Sequence, residues 1–180
     1  PCSLGTWNNL TGQASCTNAS AGYYVDTNGS TSQTPCAVGT WNNLTAQTSC
    51  INASAGYYVD TNGSTSQTPA SGGHYVDTNG STEQTPCSLG TWNNLTAQTS
   101  CINASAGYYV DVNGSISQTP CDAGTYNPLN GSNSSADCID VPAGNYSIPG
   151  SHSPIPCLEG TWQNQTGQAS CTNASAGYYV

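Results

Sequence analysis

The sequence predicts a small, all-β, disulfide-rich protein, built as an elongated rod of tandem β-hairpin modules of about 17 residues each. Three observations support this prediction. The chain has ten cysteines at regular spacings, glycine and aromatic residues recur in a fixed register, and no stretch has helical periodicity. A β-solenoid whose rungs have the length of one such module is the alternative architecture.

One glycine register runs along the whole chain. Eleven glycines, named the register glycines below, are each followed two residues later by tryptophan or tyrosine. The register glycines are Gly5, Gly22, Gly39, Gly56, Gly73, Gly90, Gly107, Gly124, Gly144, Gly160 and Gly177; the aromatic residues are Trp7, Tyr24, Trp41, Tyr58, Tyr75, Trp92, Tyr109, Tyr126, Tyr146, Trp162 and Tyr179. Most consecutive register glycines are 17 residues apart, as Gly5 and Gly22 are. This spacing indicates ten complete units and a truncated eleventh.

Two types of unit alternate along this register. In one type a cysteine precedes the register glycine by three residues and a second cysteine follows it. In the other type both cysteines are absent, and in four of these units alanine and glutamine take their places. We therefore divide the chain into repeats 1–34, 35–68, 86–119, a divergent repeat 120–155 and a truncated repeat 156–180. Residues 69–85 are an extra cysteine-free half repeat that interrupts the alternation. Because the first residues already lie inside a repeat, we expect the sequence to be a window on a longer array.

The cysteines are lost in pairs in alternate units, which indicates that the two members of each pair bond to each other. This reasoning predicts five disulfides: Cys2–Cys16, Cys36–Cys50, Cys87–Cys101, Cys121–Cys138 and Cys157–Cys171. Zinc ligands and reduced thiols are the alternatives, and the wide spacing disfavours zinc, whose cysteine ligands commonly come as C-x2-C pairs. The sequence alone leaves other pairings open. Disulfides at this density are typical of secreted proteins and extracellular surfaces.

The phrase Cys-x-x-Gly-Thr-Trp is followed by a second cysteine, 14 residues after the first in Cys2 and Cys16, and then by Ala-Gly-Tyr-Tyr. This pattern resembles the ephrin-receptor-like cysteine-rich repeat. That repeat is a relative of the tumour-necrosis-factor-receptor-type modules, and the resemblance covers the whole chain. Family members usually carry C-x-x-C at each unit junction, whereas here Ala19 follows Cys16 in that frame. Such repeats occur in receptor ectodomains and in large surface or flagellar-hair (mastigoneme) glycoproteins, so the resemblance implies a role of that kind.

Local signals within the units predict how each one folds. Gly-Tyr-Tyr-Val-Asp-Thr-Asn-Gly-Ser-Thr predicts a short strand, a turn at Asn-Gly and a second strand directly after it, because Asn-Gly is a strong signal for a tight hairpin turn and both residues tolerate positive φ. Units this small cannot bury a core of their own, so we expect the cysteine-free units to depend on bridged neighbours. We also expect the aromatic residue of each unit to pack against the adjacent unit.

Fifteen of the nineteen asparagines lie in Asn-x-Ser/Thr sequons, the acceptors of N-glycosylation in secreted proteins, which is about three times the number that chance gives. They are Asn9, Asn18, Asn28, Asn43, Asn52, Asn62, Asn79, Asn94, Asn103, Asn113, Asn130, Asn133, Asn145, Asn164 and Asn173. Duplication could have copied idle sequons. However, the divergent repeat keeps three of them although its loops differ, so we expect covalent N-glycans.

The composition excludes several classes of function. With a net charge of −9 and no lysine or arginine, the chain has no phosphate-binding patch for nucleic acid, and no apolar run is long enough for membrane insertion in this segment. Asp26, Asp60, Asp77 and Asp111 begin phrases similar to a calcium loop but lack its other ligands, so we expect weak calcium bridging at most and no metal site. Neither histidine stands in a catalytic motif, so we expect no enzyme activity and no cofactor.

Two hypotheses about function follow. The first is a structural, heavily N-glycosylated extracellular protein that forms the spine of a filament, flagellar hair or surface coat, with further copies of itself or other coat and filament proteins as partners. The second is the cysteine-rich ectodomain of a surface receptor or antigen that binds a protein ligand. Near-identical units favour the first hypothesis, because a ligand site requires one distinctive patch.

Overall fold

The structure is a computed structural model that describes residues 1–177. Within these residues the chain forms ten two-stranded antiparallel hairpins and one short 3-10 turn, Ser135–Asp137. The hairpins are β1 (Thr6–Trp7) with β2 (Thr17–Asn18), β3 (Tyr23–Tyr24) with β4 (Thr34–Pro35), β5 (Thr40–Trp41) with β6 (Ile51–Asn52), β7 (Tyr57–Tyr58) with β8 (Thr68–Pro69), β9 (His74–Tyr75) with β10 (Thr85–Pro86), β11 (Thr91–Trp92) with β12 (Ile102–Asn103), β13 (Tyr108–Tyr109) with β14 (Thr119–Pro120), β15 (Thr125–Tyr126) with β16 (Ile139–Asp140), β17 (Asn145–Tyr146) with β18 (Ile155–Pro156), and β19 (Thr161–Trp162) with β20 (Thr172–Asn173).

The prediction of a disulfide-rich, all-β array of tandem hairpins is confirmed. Each of the first ten register glycines is followed at once by the first strand of a hairpin, and strands pair within their own unit, with Thr6 opposite Asn18 in the first hairpin. Antiparallel pairing inside one unit is the geometry of a hairpin, whereas the rungs of a solenoid stack in parallel. The described residues divide into two compact parts, residues 1–85 with 95–100 and residues 86–94 with 101–177.

The Asn-Gly dipeptides do not form the tight two-residue hairpin turns that the sequence predicts. In the hairpin of β3 and β4, Tyr24 lies opposite Thr34, so the connection comprises residues 25–33. Within it, Gly29 has φ +76°, but Asn28 is not in the left-handed region. A type I′ turn requires positive φ at both central residues. The prediction was therefore wrong in its turn type and in placing the second strand directly after the dipeptide.

Disulfides close the hairpin loops of the cysteine-containing units. The bonds are Cys2–Cys16, Cys36–Cys50, Cys87–Cys101, Cys121–Cys138 and Cys157–Cys171, which are the pairs named from the sequence. Their Cα–Cα distances are 5.7–5.8 Å, within the usual range for a disulfide. In the chain-entropy model, closing a loop of this length stabilises the fold by about 3 kcal/mol.

A glutamine side chain closes the equivalent loop in four of the cysteine-free units. Gln33 Oε1 accepts a hydrogen bond from the backbone N–H of Ser20 at 2.7 Å. Gln67, Gln84 and Gln118 make the same bond to the serine 13 residues before them. The glutamine stands at the place of the second cysteine, and the serine follows the alanine at the place of the first. A hydrogen bond thus connects the two ends of the loop where a disulfide does so in the other type of unit.

Backbone hydrogen bonds connect each unit to the next within both compact parts. The N–H of Gly22 donates to the carbonyl of Asn42 at 2.9 Å, and the N–H of Val25 donates to the carbonyl of Gln47 at 2.9 Å. In the second part the corresponding donors are Gly107 and Val110, whose acceptors are Asn127 and Ser132. These bonds satisfy backbone groups that two-residue strands leave unpaired.

At seven register glycines the unit two positions further along approaches so closely that a side chain has no room: Gly5, Gly22, Gly39, Gly56, Gly90, Gly107 and Gly124. A Cβ atom at Gly22 would overlap the backbone carbonyl oxygen of Gly63, and Gly22 has φ +82°. Only glycine combines this conformation with this close approach of two backbones. The repeated glycine of the sequence therefore marks a contact between units that are not adjacent.

The buried positions are filled by small side chains. Except for Ser132 and Ser151, the buried side chains lie three residues before or three residues after a register glycine: Cys2, Ala19, Cys36, Ala53, Ala70, Cys87, Ala104, Cys121 and Val141 before it, and Val25, Asn42, Val59, Val76, Asn93, Val110, Asn127 and Ser147 after it. The aromatic residues two places after the glycine are half-buried, and Trp162 is exposed; Tyr179 lies outside the described residues. The buried core therefore consists mainly of alanine, cysteine, valine and asparagine, and the aromatic residues line its edge.

Candidate functional site

The asparagines fall into two structural classes, and the boundary between them coincides with the sequon. Fourteen of the fifteen sequon asparagines are exposed, and Asn145 is half-buried. The four asparagines outside sequons, Asn8, Asn42, Asn93 and Asn127, all stand three residues after a register glycine. Of these, Asn42, Asn93 and Asn127 are at most 4% exposed, and Asn8 is half-buried. The potential acceptors therefore lie on the surface, and the other asparagines belong mainly to the core.

The buried asparagines bond to neighbouring backbone. Asn42 Nδ2 donates to the carbonyl of Tyr23 at 2.9 Å, and its Oδ1 accepts a hydrogen bond from the N–H of Gly22 at 3.3 Å. Asn127 Nδ2 donates to the carbonyl of Tyr108 at 3.3 Å. Because a buried amide must be hydrogen-bonded to avoid a large desolvation cost, these side chains are structural.

Three of the sequon asparagines combine exposure with a structural bond. Oδ1 of Asn79 accepts a hydrogen bond from the N–H of Ala55 at 2.8 Å, and Oδ1 of Asn62 accepts one from the N–H of Val38 at 3.0 Å. Asn130 bonds to Ala106 in the same way in the second part. N-linked sugars are attached to Nδ2. The oxygen of each amide therefore connects two units while its nitrogen is the atom that would carry an oligosaccharide.

Asn145 differs from the other acceptors. Its Nδ2 donates to the carbonyls of Pro142 and Ala143 at 3.4 and 3.3 Å. The sequon hydroxyl, on Ser147, is fully buried and donates to the carbonyl of Thr125 at 2.8 Å. Attachment of a sugar at Asn145 would have to precede the folding of this unit or disturb these bonds.

The other residues considered from the sequence do not form a site. Asp26, Asp60, Asp77 and Asp111 are exposed in their turns, and no group of histidine, cysteine and acidic side chains that could hold a metal occurs within residues 1–177. His74 Nδ1 lies 3.3 Å from Ser71 Oγ and 3.3 Å from the carbonyl oxygen of Gly72. His152 is exposed in a loop of the divergent repeat.

Two further observations concern the environment of the protein. All ten cysteines are in disulfides, and disulfides at this density persist in oxidising compartments. Across the described part of the chain, no helix is long and apolar enough to cross a membrane.

The loop-closing glutamines are residues that sequence reasoning missed. Their signal was available, because alanine and glutamine recur together at the places of the two cysteines in four cysteine-free units. The comparison with known proteins adds no assignment: no protein-family model and no curated protein matches the chain.

Proposed function

We propose that this chain is a secreted, structural, N-glycosylated protein that forms the spine of an extracellular filament, flagellar hair or surface coat. The observation that carries the proposal is the division of the asparagines: sequon asparagines are exposed and the others lie at the core register. The divergent repeat supports the proposal most directly, because Asn130 and Asn133 lie at other places relative to the register glycine than the sequons of the regular cysteine-containing units and are nevertheless exposed.

In the proposed attachment, an enzyme of the secreting cell transfers a sugar from a lipid-linked donor to the side-chain amide. Nδ2 of the asparagine forms a bond to the anomeric carbon of an oligosaccharide, the bond from that carbon to a lipid pyrophosphate breaks, and the amide loses a proton. The attached sugars are bulky and hydrophilic. They would cover the exposed leucines between the asparagine and threonine of several sequons, Leu10, Leu44 and Leu95, which are 60–64% exposed.

The repetition of one small unit supports a structural role over the binding of one ligand. Within each compact part, consecutive units have similar sequences, and recurring backbone hydrogen bonds connect neighbouring units. An array of this kind extends by adding units, because each unit contacts only near neighbours. In this proposal the partners are further copies of the chain or other coat and filament proteins. No catalytic site, metal or cofactor is required, and the resemblance to ephrin-receptor-like repeats remains part of the proposal.

The test has two stages. The full chain is secreted from a eukaryotic host and its mass is measured before and after treatment with peptide N-glycosidase, which converts each sugar-bearing asparagine to aspartate. We expect sugar on most of the exposed acceptors. Antibodies to the chain are then used to label native particles for electron microscopy, and we expect labels at intervals along filaments or across a coat. Bare asparagines would overturn the glycoprotein proposal, and a dispersed receptor that captures one protein ligand would overturn the structural role.

A further inference from the structure

Two acceptor asparagines from different units lie side by side in the first compact part. The N–H of Gly80 donates to the carbonyl of Ala53 at 2.7 Å, which holds the Asn79–Gly80 turn against the end of β6. A Cβ atom at Gly80 would lie 3.6 Å from Cγ of Asn52. The residue that follows one acceptor therefore lies beside the side chain of the other, and both asparagines are exposed.

The second compact part repeats this arrangement. The N–H of Gly131 donates to the carbonyl of Ala104 at 2.7 Å, and a Cβ atom at Gly131 would lie 3.7 Å from Cγ of Asn103. Asn130 precedes Gly131, and a third exposed acceptor, Asn133, follows two residues after it. Here too an Asn-Gly turn brings acceptors from separate units together.

The pairs arise where the regular alternation of units is interrupted. An Asn-Gly turn packs on the second strand of the hairpin two units earlier, and in regular alternation that strand ends in Thr-Pro. Gly63 shows the regular case: a Cβ atom there would lie 3.8 Å from Cβ of Pro35. The extra half repeat 69–85 and the divergent repeat 120–155 instead place an Asn-Gly turn on a strand that ends in a sequon asparagine, Asn52 and Asn103 respectively.

We propose that Asn52 with Asn79, and Asn103 with Asn130, carry crowded pairs of N-glycans that keep mannose-terminated chains, whereas the unpaired glycan at Asn62 is trimmed. This inference rests on the proposed glycosylation. Trimming is a hydrolysis in which water breaks the glycosidic bond and releases a mannose. The glycosidase must enclose the terminal sugar, and a second branched chain rooted against the first asparagine occupies the space that the enzyme requires. The two irregular repeats thereby mark patches of mannose on an otherwise processed surface.

Asn62 is a matched control within the same compact part. It shares the sequence Val-Asp-Thr-Asn-Gly-Ser-Thr with Asn79, is exposed, and makes the same Oδ1 bond to a backbone N–H. The two turns differ in the residue against which they pack. Pro35 lies against the turn of Asn62, and Asn52 lies against the turn of Asn79.

The experiment uses the full chain secreted from a eukaryotic host that trims N-glycans. Glycopeptides are produced with a protease that cleaves at aromatic residues, because the chain has no lysine or arginine. The fraction of each glycan that an endoglycosidase specific for mannose-rich chains removes is then measured. Ser81→Ala abolishes the acceptor at Asn79 but keeps the asparagine and its bond to Ala55. Ser64→Ala does the same at Asn62, and each serine makes the same bonds to a threonine three residues earlier.

We expect the mannose-rich fraction to be severalfold higher at Asn52 and Asn79 than at Asn62. Ser81→Ala should lower that fraction at Asn52 to the value at Asn62, and Ser64→Ala should leave Asn52 unchanged. Equal trimming at the three sites, or no change at Asn52 in Ser81→Ala, would overturn the crowding inference while the proposed function stands. Absence of sugar from all of these sites would overturn both.

Discussion

Gln67 Oε1 accepts a hydrogen bond from the backbone N–H of Ser54 at 2.7 Å and so closes a hairpin loop that contains no cysteine. In the preceding unit the disulfide Cys36–Cys50 closes the equivalent loop. One backbone geometry therefore accepts either a covalent or a non-covalent connection at the same two places. We therefore expect the two types of unit to differ in stability. Exchanging the residues at these two places tests this expectation.

A new disulfide should form when both places receive cysteine. We expect Ala53→Cys with Gln67→Cys to oxidise without change in the fold, because the natural pairs at these places have Cα–Cα distances of 5.7–5.8 Å. The bond should raise the free energy of unfolding by up to about 3 kcal/mol in the chain-entropy model. Thiol titration and thermal denaturation with and without reductant measure the effect. Each single cysteine variant is the control, and two free thiols in the folded double variant would contradict the prediction.

Removing the glutamine bond should weaken the hairpin that it closes. Gln67→Leu has similar volume and leaves the N–H of Ser54 without its side-chain acceptor, so we expect a loss of about 1 kcal/mol in the free energy of unfolding. Gln47→Leu is the control, because Gln47 is also half-buried but its side chain bonds to Thr45, two residues away. Chemical denaturation compares the two variants. Equal effects of the two changes would show that the loop-closing bond has no special contribution.

The close approach at the register glycine predicts a severe effect of one methyl group. Gly22→Ala would drive a Cβ atom into the carbonyl of Gly63, so we expect misfolding and loss of secretion. Gly12→Ala is the matched control, since Gly12 has φ +73° but nothing lies within 4 Å of its Cβ position. That variant carries only the backbone strain, about 1–2 kcal/mol, and should still be secreted. Secreted yield and denaturation midpoint distinguish the two, and equal behaviour would exclude the contact as the cause.

One substitution should stabilise the protein. Ala46 has φ +58°, and the corresponding place in most other units is glycine. Ala46→Gly relieves the strain of a left-handed alanine, and we expect a gain of about 0.5–1 kcal/mol after the entropy of the unfolded chain is considered. Ala37→Gly is the control, because Ala37 has no positive φ, and it should lower the stability. Thermal denaturation of both variants gives the sign, and a loss of stability in Ala46→Gly would contradict the prediction.

The sequence was sufficient for features that depend on residues close along the chain. The joint loss of two cysteines in alternate units names the pairs that bond, since both members lie in one hairpin and their sequence separation is only 14 or 17. The register of glycine and aromatic residue likewise locates the first strand of every described hairpin, because that short motif also forms the strand. The sequon rule locates the potential acceptors, and the structure adds that fourteen of the fifteen are exposed.

Tertiary structure alone decided which units meet and through which atoms. Gly22 and Gly63 belong to units that are not adjacent, and no local pattern states that two backbones approach so closely there. The Asn-Gly signal predicted a tight turn because propensity describes isolated dipeptides, whereas here the N–H of Gly29 bonds to the carbonyl of Cys2 in the preceding unit. Asn52 and Asn79 become neighbours through an offset between hairpins. Local residue choice determines the hairpins, but this offset depends on backbone hydrogen bonds between units, which any residue with an N–H and a carbonyl can make.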